Sequence, residues 1–204
     1  MTMTKNRLAI AGAVMLAVAG PAMAGFKLMP KGVPVAVRSS SLTVTPTVDW
    51  NRLGSKVGRN AEAWTLDGQS LNEITFYAGI GAGQTLFREV DKKNKPLPKF
   101  SEKMLAPEIV QLFESSYRVA AGTPLFGIDE AGPATFMGRP GFRFRYNFTV
   151  QDEEIRRTGE AMGAVVDGKL YLIAFEAPTL HYFDRDVAAY RALAATARLG
   201  AATK

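Results

Sequence analysis

The chain has 204 residues, 47% hydrophobic and 22% charged, a balance that suits one globular domain with its own core and argues against bulk disorder. It has no cysteine and one histidine, which excludes disulfides, a Cys–His dyad and a His-rich metal site. The net charge of +6 is mild and its basic residues are scattered, so a basic surface or attraction to anionic envelope material is expected, with no nucleic-acid partner.

Lys5 and Arg7, the apolar run 8–19, the helix-breaking Pro21 and the Ala22-Met23-Ala24 site before Gly25 are the three parts of a secretory signal peptide, cut after Ala24. The apolar run is too short to span a bilayer, which takes roughly 20 residues. No cysteine follows the cut to carry a lipid anchor, and no second long apolar run follows. The mature chain, 25–204, is therefore expected to be a soluble periplasmic or secreted protein. It reads as a single domain, with 25–40 a loosely ordered leader.

In chain order, residues 33–37 read as a short edge strand and 42–45 as a second β-rich run closed by Pro46, after which Trp50 is expected in the core. Residues 54–60 are polar and read as a loop. A strand at 62–66 ends in Asp67-Gly68, and the run 71–80 returns beside it, so that Trp64 and Phe76 meet across a hairpin. Gly79, Gly81 and Gly83 break that run, 84–90 reads as another strand, and the lysine- and proline-rich 91–99 as an exposed connection. An apolar stripe through Met104, Leu105, Ile109, Leu112 and Phe113 predicts an amphipathic helix starting near Ala106, with Pro107 in its first turn. Two short β-like pieces follow, at 125–126 and 134–137.

The strongest pattern lies between Arg139 and Pro178. Phe142, Phe144, Tyr146, Phe148 and Val150 alternate with Arg143, Arg145, Asn147 and Thr149, the period of a strand with one row in a core. The acidic loop 151–154 turns the chain into a second run, 155–166. Asp167-Gly168, a type I′ turn signal, leads into a third that ends at Pro178. A last helix, capped by Asp184, carries Val187, Tyr190, Ala194 and Ala197 on its apolar face. Runs of strands joined by hairpins, with interposed helices, give an α+β fold: an antiparallel β-sheet flanked by helices.

No constellation of catalytic residues stands out. His181 lies in a turn and reads as a loop imidazole bonded to backbone. There is no G-x-S-x-G elbow, and Gly79-x-Gly81-x-Gly83 lacks the Lys-Ser/Thr of a phosphate loop. Asp152, Glu153 and Glu154 form one dense carboxylate group, but contiguous acids point in different directions and read as a solvated turn rather than a Ca²⁺ site. No catalytic residue, metal or cofactor is therefore assigned. The candidate binding residues are Arg143 and Arg145 on one strand with Arg156 and Arg157 on the next. Pairing across 151–154 places Arg145 beside Glu160 and Asn147 beside Thr158. That strip reads either as a basic face for an anionic partner or as a ladder of surface ion pairs, beginning with Arg145 and Glu160.

Gly138-Arg139-Pro140-Gly141-Phe142-Arg143-Phe144, the run Gly168 to Pro178, then Tyr182-Phe183 and a closing helix ending Thr196-Ala197-Arg198-Leu199 resemble the PsbP/Mog1-like group of α/β/α sandwich proteins over residues 138–199. The resemblance implies a central antiparallel sheet between helical layers. It also implies an accessory or binding protein without a shared active site, so no catalytic residue carries over. The expectation is a non-catalytic binding or assembly module of the bacterial envelope, with another envelope protein or an anionic surface as partner. Two alternatives stay open. One is an envelope hydrolase, which requires two acids converging in one cleft with at least one pKa raised by burial. The other is a carrier of an apolar ligand, which requires a pocket lined by residues such as Phe142, Phe175 and Tyr190.

Overall fold

Eleven strands and two helices follow one another in the computed structural model, which describes residues 26–38, 40–54, 57–150 and 154–200. They are β1 (Phe26–Met29), β2 (Val35–Ala36), β3 (Leu42–Val44), β4 (Trp50–Leu53), β5 (Ala61–Thr65), β6 (Glu73–Ile80), α1 (Ala106–Ala121), β7 (Phe126–Phe136), β8 (Arg139–Thr149), β9 (Arg156–Val166), β10 (Lys169–Pro178), α2 (Tyr182–Ala195) and β11 (Arg198–Leu199). The stretch 1–24, expected from the sequence to be a signal peptide, and the acids Asp152 and Glu153 lie outside the described residues.

Eight strands form one antiparallel sheet in the order β1-β4-β5-β6-β10-β9-β8-β7, and β11-β3-β2 form a small second sheet. The fold is the expected α+β class. The three strands read from 139–178 are β8, β9 and β10, and the turn between the last two has Asp167 at φ 51° and Gly168 at φ 71°, the left-handed pair that a type I′ turn needs. The alternation of apolar residues gives the sheet two buried faces. Tyr171, Ile173 and Phe175 of β10 pack with Phe183, Val187 and Tyr190 of α2. Leu170, Leu172 and Ala174 pack on the other face with Ile109, Leu112 and Phe113 of α1. The predicted Trp64–Phe76 contact is present, with ring centroids 4.6 Å apart.

Several segments differ from the sequence reading, each for a physical reason. Residues 26–29, read as leader, form the edge strand β1 against β4. Residues 84–90 form no strand, because both edges of β6 are already taken by β5 and β10. The segment instead drops Leu86 and Phe87 into the α1-side core, tied by single backbone bonds such as Arg88 N to Val57 O. The two short pieces between 125 and 137 are one strand, β7. It is outermost, with β8 as its one neighbour, so Pro133 and the bulge between Ile128 and Glu130 disturb only an edge. Helix α2 starts earlier than expected. His181 is its N-cap with no side-chain bond, and Asp184 sits in the first turn. Helix α1 begins at Ala106 as predicted, closed by Glu108 Oε2 accepting from Leu105 N at 2.7 Å.

One polar residue fastens the β5–β6 turn to α2. Asn72 is completely buried; its Oδ1 accepts from Leu66 N at 2.7 Å and Thr65 Oγ1 at 2.9 Å, while its Nδ2 donates to Asp186 at 2.9 Å. Asn72→Ala leaves these groups without partners and is expected to cost about 2 kcal/mol, measurable as a shifted urea midpoint with an unchanged slope.

Candidate functional site

Two carboxylates face each other where β6 begins and β10 ends. Antiparallel pairing sets Glu73 directly opposite Glu176. Glu73 shares its row with Thr75 and Tyr77, and Glu176 shares its row with Leu170, Leu172 and Ala174, so both acids project toward α1. The last turns of that helix do not seal the sheet there. A cleft of about 350 Å³ opens between Ala120 and Ala121 of α1 and the ends of β6, β8, β9 and β10. The two glutamates lie in it with Tyr117, Tyr146 and Arg157.

The acids are held by hydroxyls rather than by cations. Tyr117 Oη donates to the Glu176 carboxylate, 3.0 Å from each oxygen, and Tyr146 Oη reaches Oε2 at 3.2 Å. Thr75 Oγ1 donates to Glu73 Oε1 at 2.8 Å. Arg157, 6% exposed, donates from Nη2 to the Ser70 carbonyl, and its buried Nε has no partner among the described residues.

The electrostatics follow from this enclosure. Burial pushes the Glu176 carboxyl up to about 7, and the neighbouring Glu73 charge adds to the rise, against the lowering effect of Tyr117, Arg157 and Tyr146. Glu73 is raised by burial too, opposed by Thr75, Gln69 and Arg157. Two acids facing each other titrate as a pair, and both are pushed toward the protonated form. The hydroxyls of Tyr77, Tyr117 and Tyr146 are driven well above their usual range by burial and then by the Glu176 charge, so they stay protonated. Tyr117→Phe removes a donor that favours the ionised carboxylate. Glu176 should then titrate at a higher pH than in the wild type, which ¹³C NMR of the side-chain carboxyl would follow.

No protein-family model matches the chain, and no curated protein matches it. Solved structures do. A cyanobacterial PsbP from Synechocystis sp. PCC 6803 is 12% identical, with 90% of this chain and 98% of that one covered at a TM-score of 0.43. A protein of unknown function from Pseudomonas aeruginosa is 9% identical over 79% of this chain and 92% of that one, at 0.41. LpqN of Mycobacterium tuberculosis, a protein involved in cell envelope biogenesis, is 9% identical over 86% and 92%, at 0.36. Among the described residues no helix is long and apolar enough to cross a membrane.

The four arginines singled out in the sequence do not form one strip. The register is as expected, with Arg145 opposite Glu160 and Asn147 opposite Thr158. Neighbours along a strand point to opposite faces, however, so Arg157 enters the cleft while Arg143, Arg145 and Arg156 lie on the α2 face. The Arg145–Glu160 ion pair is not formed. Glu160 is taken by Arg191 of α2, whose Nε donates at 2.9 Å, and the Arg145 guanidinium lies 4.8 Å from the centre of the Phe183 ring. Arg143 pairs with Glu130 at 2.9 Å on an exposed edge. His181 is exposed, with its ring edge-on to Tyr182. Phe142 belongs to the α1 side and Phe175 and Tyr190 to the α2 side, so the three do not line a common pocket.

Glu73 and Glu176 were not singled out by the sequence. Their signal was a parity conflict: each carries a carboxylate at a position whose period-2 row is otherwise core.

Proposed function

We propose that the protein is a non-catalytic binding module of the bacterial envelope, exported by its N-terminal signal sequence, whose ligand enters the cleft over Glu73 and Glu176. One observation carries this reading: two facing glutamates share with Arg157 a cleft large enough for a small molecule. The envelope address rests on the export signature at 5–24. Both oxygens of Glu176 hold tyrosine hydroxyls, an arrangement that favours a fixed acceptor over a group that must swing to move a proton.

The hydrolase reading has a specific observation in its favour, because two acids do converge and one of them is raised to about 7, where a general acid works. One experiment separates the two. Purified protein is incubated with the small-molecule fraction of a bacterial envelope and examined by native mass spectrometry, alongside the Glu176→Gln and Arg157→Lys variants. A bound mass that the wild type retains and Arg157→Lys loses supports a binding module. Products that accumulate with the wild type and not with Glu176→Gln transfer the assignment to a hydrolase. No bound mass and no product removes the cleft as a functional site.

A further inference from the structure

We infer that the protein carries a second binding site, an oxyanion pocket on Arg38 and Arg52 that takes a small molecule bearing a phosphate or carboxylate group. It lies where the small sheet meets the β4–β5 end of the large one, and it does not depend on the glutamate cleft. A cavity of about 390 Å³ opens there. Its uncharged lining is mostly small, with Ala36, Gly54 and Ala61, and three charged side chains border it: Arg38, Arg52 and Glu62.

Glu62 anchors the site. It is 6% exposed and its oxygens are already engaged: Oε1 accepts from Trp64 Nε1 at 2.7 Å, and Oε2 accepts from the backbone N–H of Arg38 at 3.1 Å. The second bond fixes Arg38 at φ 50°, a left-handed conformation uncommon for arginine, in the turn between β2 and β3. Arg52 approaches the same Oε2 only to 3.6 Å, beyond hydrogen-bonding distance. Other half-exposed arginines are spent on the fold. Arg118 holds Glu114 with its side chain 40% exposed, Arg185 holds Asp67 and Asp186 at 39%, and Arg191 holds Glu160 at 54%. Arg52 is less exposed than any of them, at 34%, yet it donates no hydrogen bond among the described residues. Arg38 gives its Nε–H to the Arg59 carbonyl at 3.4 Å, which leaves both terminal nitrogens without a partner among the described residues. Two guanidinium forks thus border one cavity with donors to spare, and such forks match the paired oxygens of phosphate and carboxylate.

Charge selects the sign of the ligand. Lys27 of β1 stands directly opposite Arg52, on the same sheet face, so three cations gather against one carboxylate. A cation would be repelled, and a neutral molecule would leave the excess uncompensated. The donors are within reach of a ligand, because Arg38 and Lys27 are exposed and Arg52 is partly so.

The test is calorimetric titration of the purified protein with inorganic phosphate, glycerol phosphate, succinate and citrate, with spermidine as the cationic counter-probe. At least one anion should bind. Arg38→Gln and Arg52→Gln should each weaken it roughly tenfold, in line with the loss of a charge-assisted hydrogen bond. Arg156→Gln removes the same charge from an exposed arginine outside the pocket and should leave the affinity unchanged. Melting temperatures should stay near that of the wild type, so that the losses report on the ligand and not on the fold. Binding of the phosphates alone or of the carboxylates alone upholds the pocket and names its oxyanion. Binding of no anion, binding of spermidine in their place, or an affinity that Arg156→Gln lowers as much as Arg52→Gln does, overturns the assignment, the last by reducing it to a diffuse basic surface.

Discussion

Glu176→Gln should stabilise the protein by about 3 kcal/mol at pH 8 and have little effect at pH 4. The folded carboxyl titrates at about 7 against 4.5 for the free group, chiefly because the protein around the cleft takes water away from it. At pH 4 both folded and unfolded chains carry the proton, and the carboxyl is a neutral hydrogen-bonding group that glutamine imitates. Between 4.5 and 7 the unfolded chain releases its proton while the folded one keeps it. The folded state then binds more protons, and stability falls as the pH rises through that window. Above 7 the folded carboxyl ionises as well, and the loss levels off. Glutamine has no such titration, keeps an acceptor for one tyrosine hydroxyl and offers an N–H to the other. Chemical denaturation of both proteins from pH 4 to pH 9 should give curves that diverge upward from about 4.5. Parallel curves would mean that Glu176 is as well solvated folded as unfolded, and the enclosed cleft would have to be abandoned.

The same physics weighs on function. A half-buried carboxylate facing a nearly buried second one lowers stability at neutral pH, and two apolar residues at these positions would continue the rows of Tyr77 and Leu172 into the core. Groups that cost stability and perturb each other's titration inside a cleft are concentrated at sites that bind or react. The arginines of the α2 face have no such character. Arg143 has Glu130 and Arg191 has Glu160, so these charges are largely committed within the fold.

How far the sequence reached can be judged residue by residue. The β8–β10 meander was legible because its alternation runs uninterrupted from Phe142 and because Asp167-Gly168 has one natural turn type. Strand β7 was not, since glycine and proline at 132 and 133 interrupt the pattern, and only its place at the sheet edge makes them tolerable. The strand expected at 84–90 failed for the opposite reason. Its residues suit a strand, but topology leaves it no edge to join. The site was half legible. Glu73 and Glu176 each stand at a core-parity position, a signal that went unread, and a pair 103 positions apart becomes a pair only when β6 and β10 are known to be neighbours, here in the register of Glu73 with Glu176. Arg157 was found for the wrong face, because a one-residue step along a strand reverses the side-chain direction.

Gly159→Ala should destabilise the protein by about 3 kcal/mol and lower its melting temperature by roughly 6–12 °C. The residue sits on β9 directly opposite Tyr146 of β8, in the row Arg157, Gly159, Ala161 and Gly163 that faces α1. That row is small where the β8 row is aromatic, and the Tyr146 ring lies over Gly159 in the space a side chain would take. A Cβ there would meet three ring atoms of Tyr146, all well under 3.0 Å away. The ring has little room to retreat. It is completely buried, with Phe126 stacked at 5.2 Å and Phe113 at 5.3 Å between centroids. No left-handed backbone conformation is recorded at this position, so the substitution acts through packing alone. In an unconstrained site alanine would instead gain about 0.4–1 kcal/mol by restricting the unfolded chain. The sign of the change is therefore diagnostic, and a melting temperature equal to or above that of the wild type would place the Tyr146 ring elsewhere. The site should respond as well. Any shift of the ring carries its hydroxyl away from Glu176 Oε2, removing a donor that favours the ionised form, so Glu176 in Gly159→Ala should titrate higher than in the wild type. A glycine on β9 and a carboxylate on β10 would then be linked through one aromatic ring.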